Sequence, residues 1–249
     1  MDECKPVATP ADMNVKLLKD DGVSNEVDRT VYQAMVGSLL YAAIATRPDI
    51  SYAVGAVSKF CAAPSTSHLT AVKRILRYLK GTAELALTFM SGNSSAPVGY
   101  ADANWAGDLD DRHSTTGNVF LMAGGAISWL SKKQTSVALS TAEAEYISLS
   151  SASQENAWLR RLLVDIGLNV QGPTVLMEDN QGAISMAQNP VNHSRTKHID
   201  IRYHYVRECV QDGSLILQYC PSEKMLADIL TKPLPKFQFE MLRSEFGLL

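Results

Sequence analysis

Four acidic residues beyond position 100 have the side-chain type and the local setting that a metal-dependent reaction needs. They are Asp102 in VGYADANWAGD, Glu145 in STAEAEYISLS, Asp179 in VLMEDNQGAIS and Asp228 in SEKMLADILTK. Carboxylate oxygens are the ligands that Mg²⁺ prefers, and two such ions hold the attacking and leaving oxygens of a phosphoryl displacement. The set therefore predicts nuclease chemistry.

Each acid also has a structural interpretation. Asp102 follows a predicted strand and can be a turn residue, Glu145 can be a surface glutamate, and Asp179 can be a helix N-cap. Asp228 lies between apolar neighbours, and a charge in such a setting needs a cation or hydrogen-bond donors. Asp228 is thus the hardest of the four to explain structurally.

Capping chemistry separates Glu145 from the neighbouring Glu143. Ser140 and Glu143 have the spacing of a capping box, in which a serine and a glutamate satisfy backbone N–H groups at a helix start. We therefore predict a structural role for Glu143 and leave Glu145 for the site.

Composition limits the other classes of function. The 249 residues are 46% hydrophobic and 20% charged, as in globular proteins. Four scattered cysteines encode neither a disulfide framework nor a zinc site, which favours a reducing, intracellular setting. No apolar stretch is long enough to span a bilayer. The net charge of −3 requires any nucleic-acid contact surface to be local.

Other catalytic and metal-binding patterns are not supported. His193, His198 and His204 are five and six positions apart, which does not place a pair on one helical face as i and i+4 would. The sequence has no phosphate-binding GxxxxGK[ST] loop and no GxSxG nucleophile turn.

The first 92 residues are predicted to be mainly helical. Residues 1–28 form an extended lead-in without a packed element, and helices follow over 31–45, 48–60 and 67–81. In the third helix Lys73, Arg77 and Lys80 share one face, which we call the cationic face. It is either a solvated surface or a stripe that contacts phosphates. The SGNSSAP segment marks a predicted domain boundary.

Beyond that boundary the pattern predicts a mixed α/β sheet that begins with three strands and continues with helices. The strands cover 97–101, 116–122, 126–130, 174–178 and 215–219, and the helices cover 140–166, 179–187, 198–211 and 222–231.

The motifs together resemble a known family. YADANWAGD, SWLSKKQTSVALSTAEAEY, EDNQGAI with HSRTKHIDIRYHYVRE, and MLADILTKPL are similar, in this order, to the ribonuclease H domain of copia-type (Pseudoviridae) retrotransposon Pol polyproteins. YQAMVGSLLYAAIATRPDISYAVGAVSKF and HLTAVKRILRYLKGT resemble the thumb and connection region of the same polyproteins. The resemblance implies a thumb- or connection-like segment over 29–92, a ribonuclease H domain with a five-stranded sheet over 93–240, and a tail over 241–249.

The resemblance also implies site roles. The metal tetrad of the family falls on Asp102, Glu145, Asp179 and Asp228, with two Mg²⁺ ions as cofactors and Mn²⁺ as an alternative. Asp102 would bridge the two ions, Asp228 would help hold the ion that activates water, and Glu145 and Asp179 the ion at the leaving 3′ oxygen. Products would carry a 5′-phosphate and a 3′-hydroxyl.

Two departures from related enzymes matter. Many ribonucleases H have a histidine in the loop before the last aspartate, whereas this chain has QYCPSEKMLAD, which predicts slow turnover. The chain also lacks a paired-Asp YVDD motif, so it should not polymerise alone.

We therefore expect an endoribonuclease that cleaves the RNA strand of RNA/DNA hybrids. The expected partners are the hybrid and the polymerase portion of the same polyprotein, with no membrane, in a cytoplasmic particle or the nucleus. The alternative is a catalytically idle nucleic-acid-binding remnant of a transposon. Besides the cationic face, the candidate substrate contacts are Ser140, Asn180, Gln181, Lys132, Lys133, Arg195 and Lys197.

Overall fold

Five strands form one mixed sheet in the order β3-β2-β1-β4-β5. The computed structural model describes residues 3–20, 22, 27–91, 96–168, 170–188 and 197–249, with the backbone alone for 197–203. β1 pairs antiparallel with β2 and parallel with β4, β2 pairs antiparallel with β3, and β4 pairs parallel with β5. The strands are β1 Val98–Asn104, β2 Thr115–Met122, β3 Gly125–Lys133, β4 Thr174–Glu178 and β5 Leu215–Tyr219. This confirms the predicted mixed five-stranded sheet flanked by helices.

Three helices cover one face of the sheet: α4 (Thr141–Asp165), α5 (Gln181–Gln188) and α6 (Lys197–Gln211). Their apolar side chains pack with Ala101, Phe120 and Leu176 from the strands in one buried cluster. Because successive strand residues point to opposite faces, Phe120 belongs to this cluster and Val119 to the one on the other face.

The opposite face is covered by α1 (Arg29–Ala45), α2 (Ser51–Ser58), α3 (Thr66–Gly81) and α7 (Lys236–Glu245). In α1, Tyr32, Val36, Leu39 and Ala43 recur at helical spacing and are all buried. They share a core with strand residue Val119. Residues from 29–92 and from 93–240 both contribute to this single core. The division of the chain into two parts at this boundary stays a prediction.

The C-terminal residues include a helix and are packed against the rest of the protein. The sequence predicted only a tail over 241–249, without this helix. α7 follows Pro235, and Phe246 and Leu248 beyond it are buried. Leu248 pairs with Leu87 in an antiparallel bridge. The sequence signal was weak because α7 has only ten residues and its buried positions are only Phe239 and Leu242.

The lead-in has no helix or strand over residues 3–20, but it is packed, contrary to our expectation. Thr9 and Pro10 are buried, and the Leu18 carbonyl oxygen lies 2.9 Å from Nε2 of His68 in α3. At Gly81 a Cβ atom would lie 2.8 Å from Pro6 Cβ, so a residue without a side chain permits this close approach. The lead-in therefore runs along α3.

Most helix boundaries differ from the predictions by a few residues, and two of the differences have a clear physical cause. The N-cap of α3 is Ser65 and not Ser67, because Ser65 and His68 satisfy each other's backbone N–H groups. The predicted helix over 222–231 is two 3₁₀-helices, Ser222–Lys224 and Leu226–Leu230, separated by the extended backbone of buried Met225.

No helix in the described part of the chain is both long and apolar enough to cross a membrane.

Candidate metal centre

Neighbouring parallel strands bring two of the four predicted acids together. Asp102 lies on β1, and Asp179 follows directly after β4, which pairs parallel with β1. The carboxyl ends of parallel strands meet at one edge of a sheet, where ligands commonly bind. Glu145 reaches the same edge from the second turn of α4, and this helix is fixed to β1 because Ser148 Oγ donates to the Asp102 carbonyl oxygen (2.8 Å).

The three carboxylates converge. One oxygen of each of Asp102, Glu145 and Asp179 lies within 4.8 Å of the others. Asp102 is 2% exposed and Glu145 is 6% exposed, so neither has the exposure expected of a turn or surface residue. The structure thus brings together three of the four predicted ligands in a mostly buried cluster.

The fourth acid, Asp228, lies close to this cluster. Besides burial, the charge of Asp102 raises the pKa of Asp228, so the two carboxylates are neighbours. Asp228 is buried on the 3₁₀-helix Leu226–Leu230, and its Oδ1 forms an ion pair with Lys232 Nζ at 2.7 Å. Thr231, fully buried beside it, donates through Oγ1 to Asp102 Oδ2. Asp228 therefore has the cation and the neighbours that its apolar setting requires.

A glycine lets this segment approach the sheet. Gly117 is the register partner of Asp102 on β2. A Cβ at Gly117 would lie 2.6 Å from Thr231 Cγ2 and 3.0 Å from the Ala227 carbonyl oxygen. Any side chain at Gly117 would push the segment that carries Asp228 away from Asp102.

Burial and mutual repulsion disfavour the charged forms of these acids. Burial raises the pKa of Asp102, and the Asp179 carboxylate raises it further, while Lys232 and the Thr231 hydroxyl lower it. Burial and the Asp102 charge hold the pKa of Glu145 well above its usual range. Burial, and then the charge of Asp102, raises the pKa of Asp228 to about 7 against the opposing effect of Lys232.

A fifth acid, Glu178, lies beside the tetrad and was not predicted. It is fully buried at the end of β4, and burial holds its pKa well above the usual range, with smaller effects from Asp179 and Asp102. Its Oε1 accepts from the Asn180 N–H (3.0 Å). The available sequence signal was strand alternation, because Thr174, Leu176 and Glu178 all point inward on β4.

The residues present fit hard divalent cations. Within the described part of the chain, Glu145 Oε2 and Glu178 Oε2 are buried without a hydrogen-bond partner. A buried, unpaired carboxylate oxygen is unfavourable unless a cation or a proton compensates it. Oxygen ligands are the set that Mg²⁺ and Mn²⁺ prefer, and thiol and imidazole ligands are absent from the described cluster.

Local hydrogen bonds decide which neighbouring residues have structural roles. Asn180 Oδ1 accepts from Ala183 N–H (3.0 Å) and caps α5, which leaves Asp179 free of that role. Ser140 Oγ accepts from Glu143 N–H (3.2 Å), and Glu143 Oε2 accepts from Leu139 N–H (2.8 Å). The Glu143 carboxylate therefore acts at the start of α4, one residue earlier than a standard capping box.

The predicted substrate contacts near the site differ in availability. Ser140, Gln181 and Lys132 are exposed. Lys133 is engaged elsewhere, because its Nζ contacts Asp108 Oδ2 (2.6 Å) and Asp111 Oδ2 (2.5 Å). All of these contacts stay predictions.

Part of the predicted constellation lies outside the described residues. Arg195 and His193 fall there, and the side chains of Lys197 and His198 are not described. His204, whose side chain is described, is exposed on α6 and is absent from the acidic cluster.

The cationic face of α3 contacts the lead-in. Arg77 Nε donates to the Lys5 carbonyl oxygen (2.7 Å), and Lys80 Nζ donates to that of Cys4 (3.0 Å). Lys73 is exposed. Two of the three predicted phosphate-binding cations thus already hold backbone carbonyls.

Sequence comparisons identify relatives along the whole chain. It is 45% identical over 253 aligned positions to the retrovirus-related Pol polyprotein from transposon TNT 1-94 of Nicotiana tabacum, covering 100% of this chain and 19% of that protein. It is 45% identical over 244 positions to the Pol polyprotein from transposon RE1 of Arabidopsis thaliana, covering 98% and 16%. The chain thus spans less than a fifth of these relatives. No family model matches it.

Among solved structures, LC11-RNase H1, isolated from compost by a metagenomic approach, is similar with a TM-score of 0.43 and 18% identity, covering 55% of this chain and 94% of that one. The long sequence matches, together with the ordered motifs around the four acids, show that the chain belongs to the copia-type retrotransposon Pol polyproteins.

Proposed function

We propose that this chain is the ribonuclease H part of a Pol polyprotein and hydrolyses the RNA strand of RNA/DNA hybrids with divalent cations. The observation that carries the proposal is the convergence of Asp102, Glu145 and Asp179 within 4.8 Å, with Asp228 close enough that, besides burial, the Asp102 charge raises its pKa. Four neighbouring carboxylates repel one another, and bound cations would compensate this repulsion.

The arrangement of the acids supports a division of labour. Asp102 lies within 4.8 Å of Glu145 and Asp179, and its charge acts on Asp228, so it is the acid that would take part in holding each cation bound at this cluster. Bound Mg²⁺ or Mn²⁺ would supply activation of water and stabilisation of charge on the leaving 3′ oxygen. Thr231 and Ser148 fix Asp102 through its carboxylate and its carbonyl oxygen. Ser222 Oγ donates to Asp179 Oδ2 (2.7 Å).

Substrate selection would depend on shape. An A-form hybrid is recognised mainly through its backbone and 2′-hydroxyls, which predicts low sequence specificity. Exposed Ser140, Gln181 and Lys132 are the described side chains proposed to contact it. In the polyprotein, we propose that the adjoining polymerase portion is the partner of this part.

Cleavage of labelled strands tests the proposal. Purified chain is incubated with Mg²⁺, and in parallel with EDTA, on an RNA/DNA hybrid, duplex RNA and duplex DNA of one sequence. We expect cleavage of the hybrid's RNA strand alone, dependent on Mg²⁺, with 5′-phosphate ends. Hybrid binding without cleavage at any Mg²⁺ or Mn²⁺ concentration would favour the idle remnant instead.

A further inference from the structure

An aromatic side chain is partly exposed close to the proposed metal centre. Trp105 follows Asp102 by three residues and is 45% exposed. Its Nε1 donates to the Ala138 carbonyl oxygen (3.0 Å). The indole has one polar group, and because that group is already bonded, what remains available to a ligand is apolar ring surface.

The backbone that carries Trp105 is held on both sides. Asn104 Nδ2 donates to the Thr231 carbonyl oxygen (3.3 Å), and Ala106 N–H donates to Ser114 Oγ (3.1 Å). At Gly107 a Cβ would lie 2.4 Å from Asn104 Nδ2, so the turn is closely packed. The ring is thus presented by a fixed loop, which reduces the entropy that binding would cost.

Two further apolar side chains are exposed on either side of Ala138. Val137 is 47% exposed and Leu139 is 81% exposed. Leu139 immediately precedes Ser140, the N-cap of α4, and that helix carries Glu145. We call Trp105, Val137 and Leu139 the apolar platform. Trp105 lies in the loop after β1, and Val137 and Leu139 lie in the loop before α4.

We propose that the apolar platform packs against the sugar and base of a nucleotide beside the phosphate to be cleaved, with Trp105 as a substrate-positioning residue. This inference rests on the proposed function and names a further substrate contact of the same site. A nucleotide is the occupant because the platform is continuous with the acids: the bond from Trp105 to Ala138 ties the loop after β1, the strand of Asp102, to the loop before α4, the helix of Glu145.

Electrostatics favours an uncharged contact here. The acidic cluster repels phosphates except where cations compensate it, and nearby Lys133 is already paired with Asp108 and Asp111. Stacking and apolar contact bind any base through its π-face and do not depend on charge. Such a contact would hold the substrate strand in register while contributing little sequence preference.

The intrinsic fluorescence of Trp105 gives a readout that is independent of cleavage. The chain has three tryptophans, and Trp158 on α4 is 54% exposed, which makes it a matched control. An RNA/DNA hybrid is titrated into wild type, Trp105→Leu, Trp105→Phe and Trp158→Leu with Ca²⁺ in place of Mg²⁺, and strand integrity is checked on a gel. Leu139→Ser adds a variant at a side chain too exposed to support the fold.

We expect the hybrid to quench wild-type fluorescence, and Trp105→Leu to lose most of the quenching and to weaken hybrid binding by roughly 5- to 150-fold. Trp105→Phe and Leu139→Ser should weaken binding by only about 3-fold, and Trp158→Leu should leave it unchanged. With Mg²⁺, Trp105→Leu should raise KM far more than it lowers kcat.

An unchanged dissociation constant for both Trp105→Leu and Leu139→Ser would overturn the inference, as would quenching that disappears with Trp158 and not with Trp105. The two proposals fail differently. If wild type binds hybrid with Trp105 quenching but never cleaves it, the catalytic proposal fails and the platform stands. If cleavage is normal and Trp105→Leu binds like wild type, the platform alone fails.

Discussion

The repulsion within the acidic cluster predicts that removing one of its charges stabilises the metal-free protein. Asp228 is suited to this test because its pKa rises to about 7 from an ordinary value of 3.8. One pKa unit corresponds to about 1.4 kcal/mol, so keeping this carboxylate ionised in the folded protein costs about 4 kcal/mol. Asp228→Asn keeps the shape and removes this cost.

Asp228→Asn should gain less stability than the full cost of ionising the carboxylate, because Lys232 loses its ion-pair partner. Its side chain is about one-third exposed and can be rehydrated, so we expect a net gain of about 1–3 kcal/mol at pH 8 without metal. The folded state retains the Asp228 proton to higher pH than the unfolded state does. Wild-type stability should therefore fall as the pH rises from about 4 to about 7, and the advantage of the variant should grow over this window.

Urea unfolding at pH 4.5 and pH 8 in EDTA measures the effect, with exposed Asp165→Asn as a charge-matched control. Added Mg²⁺ should stabilise wild type more than Asp228→Asn, because the variant lacks one ligand. If Asp228→Asn is less stable than wild type at pH 8 without metal, or if the difference is the same at both pH values, the repulsion argument is refuted.

Two further sets of substitutions test the roles assigned to the glutamates of α4 and to the cationic face of α3. Glu143→Ala removes the acceptor for Leu139 N–H and should lower the free energy of unfolding by about 0.5–2 kcal/mol with little effect on cleavage. Glu145→Gln should abolish cleavage and leave the protein folded. Urea unfolding and hybrid cleavage are measured for both variants, and the reverse pattern would mean that the wrong glutamate is assigned to the site. Three phosphate contacts by the cationic face of α3 would contribute roughly two to three to the slope of log affinity for hybrid against log salt. Because Arg77 and Lys80 hold lead-in carbonyls, neutralising Lys73, Arg77 and Lys80 should reduce this slope by only about one. An unchanged slope measured over several salt concentrations would mean that this face does not contact substrate.

Much of the site followed from local sequence. The structure reproduces β4 and β5 at the predicted residues, whereas β1 runs three residues beyond its predicted end and includes Asp102 near its carboxyl end. Since parallel neighbours end at one edge of the sheet, two acids at such ends converge in the fold. The motifs around the acids supplied the rest through the resemblance to a family.

The residues that support Asp102 could not be inferred in this way. Thr231 is 129 positions away from Asp102 in sequence, and Lys232 reaches the cluster only because the 3₁₀-helix of Asp228 packs over Gly117. Both are in the quoted MLADILTKPL motif, but a threonine and a lysine after an apolar run have many ordinary explanations. Their roles depend on tertiary packing.

The packing of the lead-in and the identity of the α5 N-cap also depend on contacts that the local sequence does not reveal. A polar segment with prolines predicts irregular structure correctly, but whether it packs depends on the cations that α3 presents to its carbonyls. At α5, Asp179 and Asn180 are equally good N-caps by residue type. Only the observed bond from Ala183 N–H to Asn180 Oδ1 shows which of them is the cap.

We assign to the converging carboxylates the binding of the cations that would cleave RNA in a hybrid. The single-turnover rate of hybrid cleavage at saturating Mg²⁺ is measured for wild type, Asp102→Asn, Asp179→Asn and the exposed control Asp165→Asn. Both site variants should be folded and at least ~100-fold slower, while the control matches wild type. Near-normal cleavage by Asp102→Asn or Asp179→Asn would contradict the assignment of the metal centre.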